Sequence, residues 1–187
     1  GLPTNATYGF TTMLRKLLED EHPEHIAVLF DPPGKTLRHG EYAEYKANRP
    51  KMDDALAVQV PYIRRVCEAL RMPVVEIPGY EADDTIATLA RQAVEKGLKV
   101  VVVSADKDLL QLVTDDVLVL NPGREGSGST RFDRKAVEEK WGVPPERIAD
   151  VLALVGDAVD NVPGVPGIGD KGARDLVAEG YAPLNRQ

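Results

Sequence analysis

Short aliphatic runs alternate with amphipathic stretches along this chain, and that alternation leaves few folds open. Ile26–Phe30, Val74–Ile77, Lys99–Ser104 and Val117–Leu120 are short, rich in aliphatic residues and bounded by charged or turn-forming residues, the pattern of strands. Around them Phe10, Met13, Leu14, Leu17 and Leu18 recur at helical spacing. Leu56, Val60, Ile63, Cys67 and Leu70 mark the buried stripe of a second helix that Pro61 starts or kinks. Helical patterns continue at Glu81–Glu95, Asp133–Lys140, Glu146–Val155 and Lys171–Ala178. Strands joined through helices in this order predict an α/β fold, a mostly parallel central sheet flanked by helices. A chain of 187 residues supports one such domain with a small appendage.

No apolar run is long enough to cross a bilayer, and the first twenty residues lack the order of a secretory signal, so a cytoplasmic protein is expected. Cys67 is the single cysteine, which excludes an internal disulfide framework and a cysteine-built zinc site; its place on an apolar stripe predicts a small buried hydrophobe. Two segments are too polar or too small for a core. Residues 32–51 are dominated by Pro, Gly, Arg, Lys, Tyr and Glu, and Asn121–Thr130 is a Gly/Ser-rich stretch expected to be an exposed loop.

Ligands of open α/β sheets gather beyond the carboxyl ends of the strands. This chain places acids there repeatedly: Asp31 after the first run, Glu81, Asp83 and Asp84 after the second, Asp106 and Asp108 after the third. Asp157 and Asp160 follow at the mouth of a glycine-rich turn. Acids near helix starts also serve as caps and complement the helix dipole, which explains any one group by itself. Capping does not require such acids after three successive strands. Two carboxylates about 5 Å apart repel by roughly 3 kcal/mol at an effective dielectric near 20, so several such pairs call for positive charge among them. Oxygen donors without His or Cys at metal spacing point to two or more Mg²⁺ or Mn²⁺ ions, the arrangement that cleaves phosphodiesters without a protein nucleophile; His22, His25 and His39 read as surface residues. The net charge of −7 argues against a polyanion partner, but with those eight acids set aside the remaining twenty-two nearly balance twenty-three bases.

Gly164-Val165-Pro166-Gly167-Ile168-Gly169 runs directly into a helix that begins with Lys171 and carries Arg174. Glycines admit a phosphate close to the backbone, and helix-start N–H groups point at it, which suits the hairpin of a helix-hairpin-helix element that grips nucleic acid without reading bases. Arg38, Tyr45, Lys46 and Arg49 give the 32–51 stretch the cation and aromatic content that suits single-stranded backbone and stacked bases; the same residues also fit an ordinary solvated loop.

Tyr80-Glu81-Ala82-Asp83-Asp84, Ser104-Ala105-Asp106-Lys107-Asp108 and the Gly156–Gly169 segment together resemble the 5′-nuclease family, and the nearest look is the amino-terminal 5′–3′ exonuclease region of bacterial DNA polymerases of type I. The resemblance covers nearly the whole chain. It implies a PIN-like core over residues 1–155, an arch or gateway at about 32–51, and a helix-hairpin-helix element over 156–187. It implies a metal-dependent 5′–3′ exonuclease or flap endonuclease acting on DNA with a 5′ end or flap in replication and repair. The matching metal ligands are Asp31, Glu81, Asp83, Asp84, Asp106, Asp108, Asp157 and Asp160. Lys46 and Arg49 take the catalytic arch positions, joined by Arg38 and Tyr45 in binding DNA. Gly164, Val165, Gly167, Ile168, Gly169, Lys171 and Arg174 hold the duplex, with the Val165 and Ile168 carbonyls on a potassium ion.

The sequence departs from the family at both ends. A first strand carrying an aspartate, with a nearby arginine, has no counterpart, and the chain stops soon after the hairpin, so a fragment of a longer product is expected, with one metal ligand missing and a polymerase domain as its possible continuation. Pro166 and Gly172 stand where Lys and Thr are more usual. The competing reading is a DNA-binding fragment that cannot cleave. A small-molecule phosphatase on a similar sheet is a more remote one, since it has no use for a duplex grip. A monomer is the default expectation.

Overall fold

The computed structural model describes residues 1–123 and 128–181. In chain order its elements are α1 (Asn5–Glu21), β1 (Val28–Leu29), α2 (Leu37–Glu41), α3 (Asp54–Ala57), α4 (Val60–Ala69), β2 (Val74–Val75), α5 (Ala82–Glu95) and β3 (Val100–Val103). Then follow β4 (Val117–Asn121), β5 (Thr130–Phe132), α6 (Arg134–Trp141), α7 (Ile148–Val155), β6 (Gly156–Asp157), β7 (Val162–Pro163) and α8 (Asp170–Ala178). The chain divides into two units, one of residues 1–36 and 50–85, the other of residues 37–49 and 86 onward.

In the first unit, β1 and β2 pair in parallel, Val28 opposite Val74 and Leu29 opposite Val75. Leu14, Cys67 and Met72 form its core, with Phe10, Leu17, Leu18, Val66 and Val74 packed against them, so the helical spacing of these residues reports a buried face. Cys67 is fully buried, and that burial pushes its thiol pKa up. Thr4 at the start of α1 makes no side-chain cap. The open N–H groups are met instead by Gln59, only 1% exposed: its Oε1 accepts from Ala6 N at 2.9 Å and Thr7 N at 3.1 Å, while its Nε2 donates to Asn5 Oδ1 and Ala55 O.

In the second unit β4 is central. β3 lies parallel to it with Val100 opposite Val117, and β5 lies antiparallel with Val119 opposite Phe132. The core gathers Val102, Val117, Val119 and Phe132 from the sheet, Leu109, Leu110 and Val113 from a 3₁₀ turn after β3, and Val137, Trp141, Ile148, Val151, Leu154, Ala173 and Val177 from α6, α7 and α8. Each of the Val, Leu, Ile and Phe side chains contributes about 1.5–3 kcal/mol on burial. β5 is absent from the sequence reading because Thr130-Arg131-Phe132 is too short for alternation to register. It also corrects part of the expected 121–130 loop: Asn121 closes β4 and Thr130 opens β5, while residues 124–127 lie outside the described residues. No described helix is long and apolar enough to cross a membrane.

The last turn of α7 runs directly into the β6–β7 hairpin, where Gly156 pairs with Pro163 and Asp157 with Val162. The chain then returns along α7, Val165 N donating to Leu154 O at 2.8 Å, before α8 starts at Asp170. Helix, tight connection and helix thus follow in the order expected from the glycine spacing.

Candidate functional site

The acids of the first unit sit where β1 and β2 end. Asp31 follows β1, and its Oδ1 accepts the Ala82 N–H at 2.7 Å. Glu81 precedes α5 and is 6% exposed; its own N–H donates to Asp84 Oδ2 at 3.1 Å, a carboxylate at the third helical position reaching back to the residue before the helix. Asp83 lies half-buried in the same first turn. Asp31 and Asp84 therefore each hold part of the entry to α5, the capping role that acids at such positions commonly have.

The second unit brings together the acids after β3 and those of the β6–β7 hairpin. Asp106 accepts the Asp108 N–H at 2.9 Å through Oδ1, and Asp157 Oδ1 accepts from Val159 N at 2.8 Å and Asp160 N at 3.2 Å. Lys107 Nζ lies 3.3 Å from Asp157 Oδ2. Burial of Asp157 works to raise its pKa, but the Asp160 and Val159 N–H groups and Lys107 outweigh it and the net shift is downward. Asp108 is shifted the other way: burial, then the Asp106 carboxylate, push its pKa up against the pull of Lys107, with Asp157 and Asp160 adding to the rise. Its Oδ1 is buried and has no hydrogen-bond partner among the described residues.

A carboxyl whose pKa is raised by folding stabilises the fold below its unfolded pKa and loses that contribution as pH rises through the folded value. Burial and the neighbouring Asp106, Asp157 and Asp160 carboxylates thus penalise the ionised form of Asp108 in the metal-free protein. Asp108→Asn should raise the melting temperature in chelator by about 2–4 °C, the shift that ~1 kcal/mol produces in a chain of this size. Calorimetry in chelator at neutral pH, with an unchanged or lower melting temperature, would contradict this account of the site.

The 37–49 segment belongs to the same unit and lies on the Ala158–Asn161 turn. Arg49 pairs with Asp160 Oδ1, Tyr45 OH donates to Asp160 Oδ2 at 3.2 Å, and Lys46 Nζ lies 3.9 Å from that oxygen. Two amides fasten the segment further: Asn48 Nδ2 donates to Ala158 O, and Asn161 Nδ2 to Glu44 O, each at 2.8 Å. Tyr45, expected as an aromatic for stacking on bases, is buried, with the His39 ring edge-on at 5.4 Å and Lys46 Nζ 4.9 Å from its ring centroid. Arg38 is half-buried on α2. His39 is likewise half-buried, whereas His22 and His25 are exposed.

In the hairpin before α8, Val165 O accepts the Ile168 N–H at 3.1 Å, and Gly167 turns the chain with φ +84°. Gly164 approaches the α7 backbone closely, and Gly169 precedes the first residue of α8. Lys171 is exposed and pairs with Asp175. Arg174 points elsewhere: its guanidinium lies 4.8 Å from the Trp141 ring centroid and donates to Lys140 O at 3.2 Å, which places it against the end of α6. A groove of about 620 Å³ lined by Lys99, Thr114, Asp116, Arg131 and Arg134 opens at the amino-terminal ends of β3 and β4, away from these acids.

Among the described residues, no three His, Cys, Asp or Glu side chains are grouped so as to hold a metal ion as they stand. The positive charge that the crowded acids require is supplied in this state by Lys107, Lys46 and Arg49. The donor set nevertheless suits a hard divalent cation: all oxygen, with a buried and unsatisfied Asp108 Oδ1 among four carboxylates. Lys107, Asn48 and Asn161 have places here that the sequence reading missed. Lys107 between two aspartates was a visible signal, whereas the amides gave none.

Two family descriptions divide the chain: "5′–3′ exonuclease, N-terminal resolvase-like domain" over residues 1–142 and "5′–3′ exonuclease, C-terminal SAM fold" over 143–184. The 5′–3′ exonuclease of Aquifex aeolicus is 50% identical over 177 residues, covering 95% of this chain and 60% of its own. DNA polymerase I of Mycobacterium tuberculosis is 51% identical over 179 residues, covering 96% of this chain and 20% of its own. The chain thus spans under two thirds of the first of these relatives and a fifth of the second. Among solved structures, a bacteriophage T5 flap endonuclease in complex with DNA and metal ions superposes with a TM-score of 0.76 at 25% identity, covering 95% of this chain and 67% of its own.

Proposed function

The chain belongs to the 5′–3′ exonuclease family, and from that membership we propose that it is a Mg²⁺- or Mn²⁺-dependent nuclease that hydrolyses DNA near 5′ ends or flaps during replication and repair. The observation that most supports the reading is Asp108, whose buried, unpartnered oxygen stands among Asp106, Asp157 and Asp160 beside the cations of the 37–49 segment.

The ligands we assign are Asp31, Glu81, Asp83, Asp84, Asp106, Asp108, Asp157 and Asp160. Bound divalent ions supply Lewis-acid polarisation of the phosphodiester and activation of water. The protein's own part is to place the phosphate: Lys46 and Arg49, with Arg38 beside them in sequence, neutralise its charge in the manner of a cationic channel for single strands. Backbone N–H groups at Gly164–Gly169 and the exposed Lys171 hold the duplex, and the carbonyls of Val165 and Ile168 offer oxygen donors to a potassium ion. Residues 1–155, joined by Asp157 and Asp160 from the start of the next element, would carry the chemistry, and 156–187 the grip. In a longer protein, as in the DNA polymerase I relatives, this cytoplasmic region would stand beside a polymerase.

Incubation with a labelled 5′-flap DNA, in Mg²⁺ or in chelator, tests the reading. Metal-dependent cutting near the junction is expected. Binding without cutting in either condition would instead support a silent DNA-binding region, a reading favoured by the lack of a ready three-ligand group among the described residues.

A further inference from the structure

Asp160 has both carboxylate oxygens committed. Oδ1 takes the Arg49 guanidinium, and Oδ2 takes the Tyr45 hydroxyl with Lys46 Nζ nearby. The contact extends beyond these charges. Lys46 N donates to Asp160 O at 2.9 Å, Asn48 to Ala158 O and Asn161 to Glu44 O, so backbone and amide bonds tie the 44–49 segment to the 158–161 turn on both sides of the carboxylate. Two residues at this contact adopt left-handed backbone, Lys46 with φ +56° and Asn161 with φ +60°. Asn tolerates that region; Lys holds it only where neighbouring bonds fix it.

We propose that Asp160 is a shared carboxylate: it clamps the 37–49 segment onto the 158–161 turn, and the segment must let go for Asp160 to accept a divalent cation. The inference rests on the assignment of Asp160 as a metal ligand and adds a consequence that assignment does not contain. Segment closure and cation binding exclude one another at one side chain, so they are negatively coupled, and the coupling is reciprocal. Loosening the segment strengthens cation binding. Cation binding loosens the segment, and moves Lys46 and Arg49 from an internal partner to where they can meet a phosphate. The two cations proposed to receive the substrate are thereby withheld until the metal ligands are engaged.

Two variants separate this clamp from a bulk charge effect. Arg49→Gln removes the competing cation. Asn48→Ala removes only the amide bond to Ala158 O, without any change of charge, and both side chains are exposed enough to be replaced without harm to the core. Mn²⁺ titration by calorimetry on the full chain should show binding tightened about tenfold in Arg49→Gln and about two- to fivefold in Asn48→Ala. Cleavage of the parent by Glu-C protease after Glu41 and Glu44 should be slow in chelator and several-fold faster in saturating Mn²⁺. Unchanged affinity in Asn48→Ala, or protease rates indifferent to Mn²⁺, overturns the clamp while leaving the metal assignment standing. Absence of saturable Mn²⁺ binding in parent and variants alike overturns both.

Discussion

Asp106→Ala is expected to lower Mg²⁺-dependent cleavage of a 5′-flap DNA by roughly 10³-fold or more while its affinity for the same DNA in chelator changes less than about threefold. A loss of that size corresponds to ~4 kcal/mol of transition-state stabilisation, within what one ligand of a catalytic divalent ion supplies. Binding is spared because the residues assigned to hold DNA are cations and hairpin backbone, whereas the Asp106 carboxylate accepts the Asp108 N–H and the Asp106 N–H donates to Ser104 Oγ. Asp106→Asn keeps an oxygen for that N–H and separates the ligand role from the local turn. If Asp106→Asn retains full cleavage, Asp106 holds the turn and no metal.

Gly156→Ala is expected to cost about 3 kcal/mol or more, lowering the melting temperature by roughly 6–12 °C. Gly156 has φ +74°, and a Cβ there would lie 2.3 Å from Gly164 N, 2.5 Å from Val162 O and 2.7 Å from Pro163 C, all backbone atoms that cannot turn aside. Gly142 provides the control. It ends α6 with φ +72° but has nothing within 4 Å of a built Cβ, so Gly142→Ala carries the backbone penalty alone, about 1–2 kcal/mol. Thermal melts of the two variants should differ accordingly. Equal melting temperatures would mean that the β6–β7 hairpin is not closed as described. Because Asp157 and Asp160 lie in that hairpin, the loss in Gly156→Ala should be accompanied by weakened Mn²⁺ binding.

What the sequence makes legible is what local chemistry determines. The strand runs at Val74 and Val100 and the helices at Phe10–Leu18, Glu81–Glu95 and Asp133–Lys140 all have counterparts, because periodic apolar residues report a buried face directly. Gly164–Gly169 announces a turn before a helix for the same reason. The short β5 and the 3₁₀ turn at Asp108–Leu112 escape because their patterns are shorter than one period can reveal. At the candidate site the residue types that could carry charge are readable, but not their partners. Arg174 looks like a phosphate ligand by its place after the glycines; Trp141, more than thirty residues earlier, draws its guanidinium to the end of α6. Tyr45 looks like a stacking platform, yet Asp160, distant along the chain, supplies a half-buried acceptor for its hydroxyl. Long-range pairings of this kind depend on the folded backbone and leave no mark on spacing.

Membership in a nuclease family makes a divalent ion at Asp106, Asp108, Asp157 and Asp160 the central claim, and iron footprinting tests it most directly. Fe²⁺ with ascorbate and peroxide cuts a polypeptide beside the groups that bind it. The account predicts paired cuts near residues 106–108 and 157–160, both suppressed by excess Mg²⁺. Cuts at only one of these segments, or a pattern indifferent to Mg²⁺, would contradict a cation shared by the two.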